Sequence, residues 1–304
     1  MSTIMLNNSL KVQEKVKFEI VTDLMALLPI MERRLPKSCF MYNQLKSYES
    51  FKQDLKVYSL QPSENEDLDD LWILFSFFRE DWGSTISISA PVFPIPNIPS
   101  RVQEALQATD PVDWTKRFCV LNVDLAISDF IAKTSLRKFG NVIKIFPCDL
   151  YYMELEEALK INIDISSTPE VSLGPLSPLE GTQFLTRNWQ YTKEGTDTFI
   201  RKSIENHISA GVYVRDEKNK SKRELACVAI SPGYGVISSL VTHPNHRRKG
   251  YASLVMKYIC KQLAANGFYP SWDVEISDPT AVAFHKSLNK QVAGKVDYIS
   301  HKAL

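Results

Sequence analysis

The chain has 304 residues, of which 44% are hydrophobic and 23% are charged, which is typical of a globular protein and long enough for two domains. Lysine and arginine total 36 against 35 acidic residues, so the formal net charge of +1 does not indicate a nucleic-acid or acidic-membrane partner. Five scattered cysteines form no CxxC pair, which argues against a zinc site and favours reduced thiols in an intracellular protein.

The N-terminal segment, Met1–Val16, has neither the apolar core of a secretory signal nor the arginine-rich character of a transit peptide. No apolar run reaches the roughly 18 residues that a membrane span requires. We therefore expect a cytoplasmic protein without a membrane partner, a nucleic-acid partner or a metal ion.

The first half of the chain is predicted to mix helices and strands. An acidic loop, Glu64–Asp70, leads into an apolar run of strand length. Four prolines within nine residues predict an extended surface loop over Pro91–Pro99. The predicted elements are the helices Asp23–Arg34 (which contains Pro29), Val112–Val120 and Asp124–Lys138, and the strands Leu71–Phe78, Ser84–Ala90 and Val142–Phe146.

A polar stretch rich in serine and threonine, Ile161–Pro169, is interpreted as a domain boundary between residues 1–165 and 166–304. In the second domain, Ser177-Pro178-Leu-Glu180 has the pattern of a helix start. The expected order there is β-α-α-β-β-β-α-β-α-β, and the first half is a candidate for a worn copy of that layout. The predicted strands are Glu170–Gly174, Gly211–Arg215, Leu225–Ile230, Gly235–Thr242, Trp272–Ile276 and one or two short final strands; the predicted helices are Ser177–Trp189, Thr196–Ile208, Arg248–Asn266 and Pro279–Leu288; a charged loop spans Asp216–Glu224.

A basic turn between a strand and a helix is the segment most closely tied to chemistry. The strand Gly235–Thr242 must end at Pro244, because proline cannot donate to a ladder. Arg247-Arg248-Lys249 and Gly250 follow, and an amphipathic helix begins. Unpaired backbone amides at a helix N-terminus form an anion site, and a glycine allows a phosphate to approach closely. The phosphate-binding patterns GxxxxGK[ST] and GxGxxG are absent.

The run Arg247-Arg-Lys-Gly250-Tyr-Ala252 resembles the [QR]-x-x-G-x-[GA] pattern of the GNAT superfamily of N-acyltransferases. The resemblance implies an α+β GNAT fold in the C-terminal half, with an N-terminal α/β domain as a possible degenerate copy. It also implies that acyl-CoA or acetyl-CoA binds as co-substrate. The pyrophosphate would lie on the turn and the pantetheine arm on the preceding strand, which assigns cofactor binding to Leu240, Val241, Thr242, Arg247, Arg248, Lys249, Gly250, Tyr251 and Ala252.

Phe184–Trp189, the helix up to His207, and Leu225–Ile230 resemble the glycine N-acyltransferase-like family in particular, as do Leu28–Pro36 and Asp113-Trp114 in the first half. That resemblance implies acyl transfer to the amine of glycine or another small amine. It also makes a mitochondrial location the alternative to a cytoplasmic one. A protein or peptide acceptor stays open.

The residues expected to carry the reaction depart from the resembled families. The position that matches the proposed glutamate base is Val236, and the position of the usual tyrosine acid is His285. Histidine can act as an acid near neutral pH, so His285 is the predicted catalytic residue. The alternative is a helix histidine that is hydrogen-bonded to a neighbour. Asp278 is predicted to cap its helix.

Other candidate bases are His243, His246, Asp273 and Glu275. We expect the two histidines on the surface of the turn. The two carboxylates share one strand face, which is expected to be solvated, and the alternative is that this face lines the cleft. Cys227 is interpreted as a buried strand residue. Because Val236 cannot accept a proton, a CoA-binding pseudoenzyme or interaction protein is the alternative function.

Overall fold

The computed structural model of the chain describes residues 16–50, 52–60, 68–79, 81–108, 112–140, 143–166, 168–215, 223–233 and 235–302. Three predicted segments lie wholly or mostly outside these residues. They are Met1–Val16, of which only Val16 is described, and the loops Glu64–Asp70 and Asp216–Glu224. Every element below is an element of the described part of the chain.

The first half contains six strands and five helices among its described residues. The strands are β1 (Glu19–Ile20), β2 (Leu55–Leu60), β3 (Trp72–Arg79), β4 (Gly83–Ser89), β5 (Phe118–Val123) and β6 (Ile143–Tyr152). The helices are α1 (Leu28–Arg33), α2 (Cys39–Lys46), α3 (Ser100–Ala108), α4 (Leu125–Phe139) and α5 (Leu155–Leu159). Asp124 caps α4 through its side chain, and Pro29 lies in the first turn of α1, where a missing amide is tolerated.

The second half follows the predicted order of elements. Its strands are β7 (Val171–Gly174), β8 (Ser209–Arg215), β9 (Arg223–Ile230), β10 (Ser238–Thr242), β11 (Ser271–Glu275) and β12 (Val292–His301). Its helices are α6 (Pro178–Asn188), α7 (Thr196–Asn206), α8 (Tyr251–Ala265) and α9 (Pro279–Ser287). Ser177 occupies the N-cap of α6 as predicted, but its side chain makes no capping hydrogen bond.

Three of the predicted elements were wrong in kind or length. The strand expected over Val142–Phe146 is the ten-residue β6. Val112–Val120 was expected to be helical, but Phe118–Val123 is a strand. The strand β5 lies between β4 and β12, and all six of its residues are buried. A run that is buried on both faces shows neither helical nor strand periodicity, so its sequence does not indicate which element it forms. The chain ends in one strand of ten residues, β12, instead of one or two short strands.

The strands form an eight-stranded sheet in the order β1-β2-β3-β4-β5-β12-β6-β11 and a four-stranded sheet in the order β10-β9-β8-β7. The pairs in both sheets are antiparallel, except that β4 and β5 are parallel. The boundary between residues 165 and 166 stays a prediction, and the larger sheet contains strands from both sides of it.

The two halves repeat one order of elements and exchange their last strands. Without α5, the first half reads β-α-α-β-β-β-α-β-α-β, which is the order from β7 to β12. The last strand of the second half, β12, pairs with β5 of the first half, and the last strand of the first half, β6, pairs with β11 of the second. The two exchanged strands also pair with each other over nine register positions, from Val292↔Tyr151 to His301↔Ile143.

Candidate active site

The candidate site lies where β10 separates from β11. The amide of Ile237 donates to the carbonyl of Ser271 over 2.8 Å, just before β10 begins. Beyond this bond the two strands belong to different sheets: β10 is an end strand of the four-stranded sheet, and β11 is an end strand of the eight-stranded sheet. The side of β10 that faces away from β9 is therefore an edge of its sheet, where no neighbouring strand pairs with it in the described part of the chain.

Asn43 of α2 joins the two chain segments that enter this separation. Its side-chain amide donates to the carbonyls of Gly235 (3.0 Å) and Tyr269 (2.8 Å), and its Oδ1 accepts from the amide of Tyr269 (2.9 Å). The Asn43 side chain is buried. A helix of the first half thus fixes the closed end of the separation by three hydrogen bonds.

The basic turn at the N-terminus of α8 has the conformation that an anion site needs. Arg248 and Gly250 have φ angles of 64° and 80°, so the chain turns through two left-handed residues before the helix begins. A Cβ added at Gly250 would meet no atom within 4 Å, so the turn is open at this point. The guanidinium of Arg247 donates to the carbonyl of Thr242 over 3.4 Å, which joins the turn to the end of β10.

The separation opens into a cavity of about 1330 Å³. Of the nine predicted cofactor-binding residues, Lys249 does not line it. The predicted residues that do are Leu240, Val241, Thr242, Arg247, Arg248, Gly250, Tyr251 and Ala252, together with His285. The structure therefore brings these residues to one cavity, and their role in binding stays a prediction.

His285 is buried and hydrogen-bonded. Its Nδ1 accepts from the indole Nε1–H of Trp272 over 3.1 Å, so in the neutral ring the proton is on Nε2. Burial lowers the pKa of His285 to about 4. A neutral imidazole can donate a hydrogen bond from Nε2 but is not a ready proton source. Asp278, at the start of the same helix, caps it as predicted, by accepting from the amides of Thr280 and Ala281.

The two histidines beside the basic turn differ in exposure. His243 is half-buried, and its Nδ1 accepts from the amide of Asn245. His246 was expected on the surface, but it is buried, and its Nε2 lies 2.7 Å from Oε1 of Glu224. Its ring also packs against Tyr251, with 6.2 Å between the ring centroids. His246 therefore packs beneath the turn and ties it to β9.

Asp273 and Glu275 line the cavity, which corrects the expected solvated face. The strand β11 lies at the end of its sheet, and the face that carries its two carboxylates borders the cavity. An alternating sequence is the same whether that face borders solvent or a cavity. Glu275 accepts from the hydroxyl of Tyr191 over 3.1 Å and from that of Ser277. Oδ1 of Asp273 is buried and has no hydrogen-bond partner in the described part of the chain.

Lys37, in the segment before α2, is a buried cation that the sequence did not single out. Its Nζ donates to the carbonyl of Asn122 and, over 3.0 Å, to Oδ1 of the same residue. Burial lowers the pKa of Lys37, and the nearby carboxylates of Asp273, Asp124 and Asp297 oppose that shift. No local motif marks Lys37, because its partners lie far away in sequence.

The first half supplies one wall of the cavity. Its residues there include Phe40, Arg79, Trp82, Leu121, Phe146 and Cys148. The thiol of Cys148 is kept protonated because burial and nearby carboxylates raise its pKa. Cys227 is buried in β9 as predicted, and its thiol pKa is raised to about 12, mainly by burial.

Residues 174–289 match the Acetyltransferase (GNAT) family. This segment has the GNAT fold. The separation of β10 from β11 and the basic turn both lie within it, and the predicted α+β GNAT fold is confirmed. No protein of curated function matches the chain in sequence.

Two solved structures are similar to nearly the whole chain. An X-ray structure of a Drosophila protein has a TM-score of 0.77 at 15% identity, covering 94% of this chain and 98% of that one. A tandem GNAT protein from the clavulanic acid biosynthesis pathway has a TM-score of 0.52 at 10% identity, covering 95% and 99%. At these identities the likeness is one of fold only. The tandem protein fits a chain of two halves, of which the second contains the GNAT-fold segment.

Within the described ranges, no helix is long and apolar enough to cross a membrane. In the same residues, no three His, Cys, Asp or Glu side chains come close enough to hold a metal ion.

Proposed function

We propose that the protein transfers an acyl group from acyl-CoA or acetyl-CoA to the amine of a small acceptor, glycine or a similar amino acid. The observation that carries this proposal is that the sheet edge formed by β10 and the basic turn at Gly250 line one cavity. The strand edge offers backbone groups to the amides of the pantetheine arm. The turn offers amide hydrogens and the positive end of the α8 dipole to the pyrophosphate.

The size and lining of the cavity support a second substrate beside the CoA arm. A volume of about 1330 Å³ exceeds the roughly 300–1000 Å³ of ordinary ligand pockets. We place the acceptor against the wall that the first half supplies, near Trp82 and Phe146. The resemblance to glycine N-acyltransferase-like proteins is the reason to name glycine.

CoA binding without turnover is the second candidate function. Val236, at the position where the resemblance implies a glutamate base, is buried and apolar. The deciding experiment incubates the protein with a panel of acyl-CoAs and small amines and measures free thiol. We expect thiol release that depends on both substrates. Tight CoA binding without release for any pair contradicts the transferase and supports a binding protein.

A matched pair of glycine variants tests the CoA turn. Gly250 and Gly140 both have left-handed φ angles (80° and 68°) and open space where a Cβ would lie. Alanine at either position therefore carries a similar backbone penalty, roughly 1–2 kcal/mol. We expect Gly250→Ala to weaken CoA binding at least about tenfold by calorimetry and Gly140→Ala to leave it unchanged. If Gly250→Ala and Gly140→Ala bind CoA with equal affinity, the turn at Gly250 does not form part of the CoA site.

A further inference from the structure

Asp273 lines the cavity, and one oxygen of its carboxylate has no hydrogen-bond partner among the described residues. It lies on β11, one residue after Trp272, whose indole holds His285. Its Oδ1 is buried and without a hydrogen-bond partner among the described residues, although most buried polar atoms have one. A buried acceptor oxygen without a partner is costly, and an ammonium group in the cavity would satisfy it.

Lys37, Cys39 and Cys148 interact electrostatically with Asp273, and no described residue donates a hydrogen bond to its Oδ1. Lys37 is the opposing charge, but its ammonium is occupied by hydrogen bonds to Asn122. The thiols of Cys39, from α2, and Cys148, from β6, stay protonated because burial raises the pKa of each. Glu275, on the same face of β11, is engaged by hydroxyl donors.

The charge balance around Asp273 suits a base that works near neutral pH. Burial raises the pKa of the Asp273 carboxyl above its ordinary value, and the positive charge of Lys37 opposes that rise. An ordinary aspartate, with a pKa of about 3.9, is a weak base toward an ammonium group. General bases are most effective when their pKa lies near the working pH.

We propose that Asp273 is the general base of the acyl transfer and that Lys37 is a positioning residue that keeps its carboxylate ionised. This inference rests on the proposed function. Asp273 takes one proton from the acceptor ammonium, and the freed lone pair of the nitrogen attacks the thioester carbon. A C–N bond forms, the C–S bond breaks, and the second nitrogen proton passes to the departing sulfur. The products are the amide, CoA thiol and a proton that Asp273 returns to solvent.

Turnover and binding are measured for Asp273→Asn with Asp149→Asn as the matched control. Asp149 lies on the neighbouring strand β6, opposite Val274 in the register, so its side chain is on the other face of the sheet. We expect Asp273→Asn to lose about 10²–10⁴-fold in kcat with its CoA affinity intact. Asp149→Asn should keep the activity of the unmodified protein. Full turnover in Asp273→Asn overturns the assignment of Asp273 as the base but leaves the proposed function in place.

The pH profile separates a base from a merely structural carboxylate. Lys37→Met removes the charge that lowers the pKa of Asp273, so the acid limb of kcat/KM should move to higher pH. A limb that stays in place, or moves to lower pH, contradicts the role of Lys37. Where Lys37→Met does not fold, the Asp273→Asn comparison still decides the role of Asp273.

A titration of the carboxyl group does not depend on turnover. With ¹³C-carboxyl-labelled aspartate, the signal missing in Asp273→Asn is followed by NMR as pH changes. We expect its midpoint above the about 3.9 of an ordinary aspartate, and a midpoint at or below that value overturns the proposal. Wild-type protein that binds CoA but releases no thiol with any pair instead refutes the proposed function, and the base assignment with it.

Discussion

The environment of His285 determines which chemistry this side chain can perform. Its Nδ1 is held by Trp272, and the indole of Trp272 stacks on the ring of Tyr151, with 5.5 Å between the ring centroids. Burial disfavours the imidazolium form, and the pKa falls to about 4. The ring is therefore neutral at neutral pH, with Nε2–H as its donor. In the proposed reaction, we expect it to stabilise the leaving sulfur by a hydrogen bond.

The lowered pKa of His285 makes stability depend on pH in one direction. The folded value, about 4, lies below the roughly 6.5 of an unfolded histidine, so the stabilisation is complete above pH 6.5 and is lost as pH falls toward 4. We expect wild type to lose about 2 kcal/mol more than His285→Asn between pH 7 and pH 5 in urea unfolding. Asparagine keeps an acceptor for Trp272 without titrating.

His207, whose pKa burial also lowers to about 4, is present in both of these proteins and cancels from the comparison. Parallel pH profiles for wild type and His285→Asn would mean that the imidazole of His285 is solvated in the folded protein.

At the scale of elements, the two halves differ at the same place in their shared layout. In the second half, β10 and β11 separate after one hydrogen bond. In the first half, the corresponding strands β4 and β5 pair over three register positions, from Ser84↔Phe118 to Ile86↔Val120. The loop after β4 also contains four prolines, which have no amide hydrogen to offer a phosphate. The first half therefore lacks both parts of a CoA site.

Asn43 is the side chain on which the separation of β10 from β11 most directly depends. Asn43→Ala removes three hydrogen bonds and leaves the carbonyls of Gly235 and Tyr269 without this donor. We expect a loss of about 2–4 kcal/mol in the free energy of unfolding. Asn266→Ala, at an exposed helix end, is the control and should change it by less than about 0.5 kcal/mol. A similar small change in both variants would show that other contacts fix the strands.

Sequence reasoning predicted the parts of the site that are contiguous in sequence and missed the residues that are distant in sequence. The strands β8 and β9 and the basic turn before α8 are confirmed, because each depends on neighbours along the chain. The face of β11 that carries Asp273 was placed in solvent, since alternation shows two faces but not what covers each. Lys37 and Asn43 gave no signal at all, because their roles arise from packing between the halves.

At the scale of the whole molecule, the exchange of β6 and β12 makes the halves depend on one another. Residues 1–165 alone would lack β12, which lies between β5 and β6. Two strands would then present open edges, and buried side chains such as Val296 and Ile299 of β12 would be missing from the core. We therefore expect that the two sides of the predicted boundary at residues 165 and 166 do not fold separately.

Expression of the two halves tests this dependence. We expect residues 1–165 and 166–304, made separately, to show no cooperative thermal transition by circular dichroism. Made together, they should associate and migrate as one species in size-exclusion chromatography. A cooperative transition of residues 1–165 on their own would show that β12 is dispensable for that half.

The position of β12 also sets a time for folding. Its partner β5 ends at Val123, and β12 begins only at Val292. At about 5–20 residues per second, a ribosome needs on the order of 10–30 s to make the intervening chain. During that interval the edge of β5 that β12 will occupy is open to strands of other nascent chains. Slower translation downstream of β5 therefore lengthens the period in which this edge is exposed.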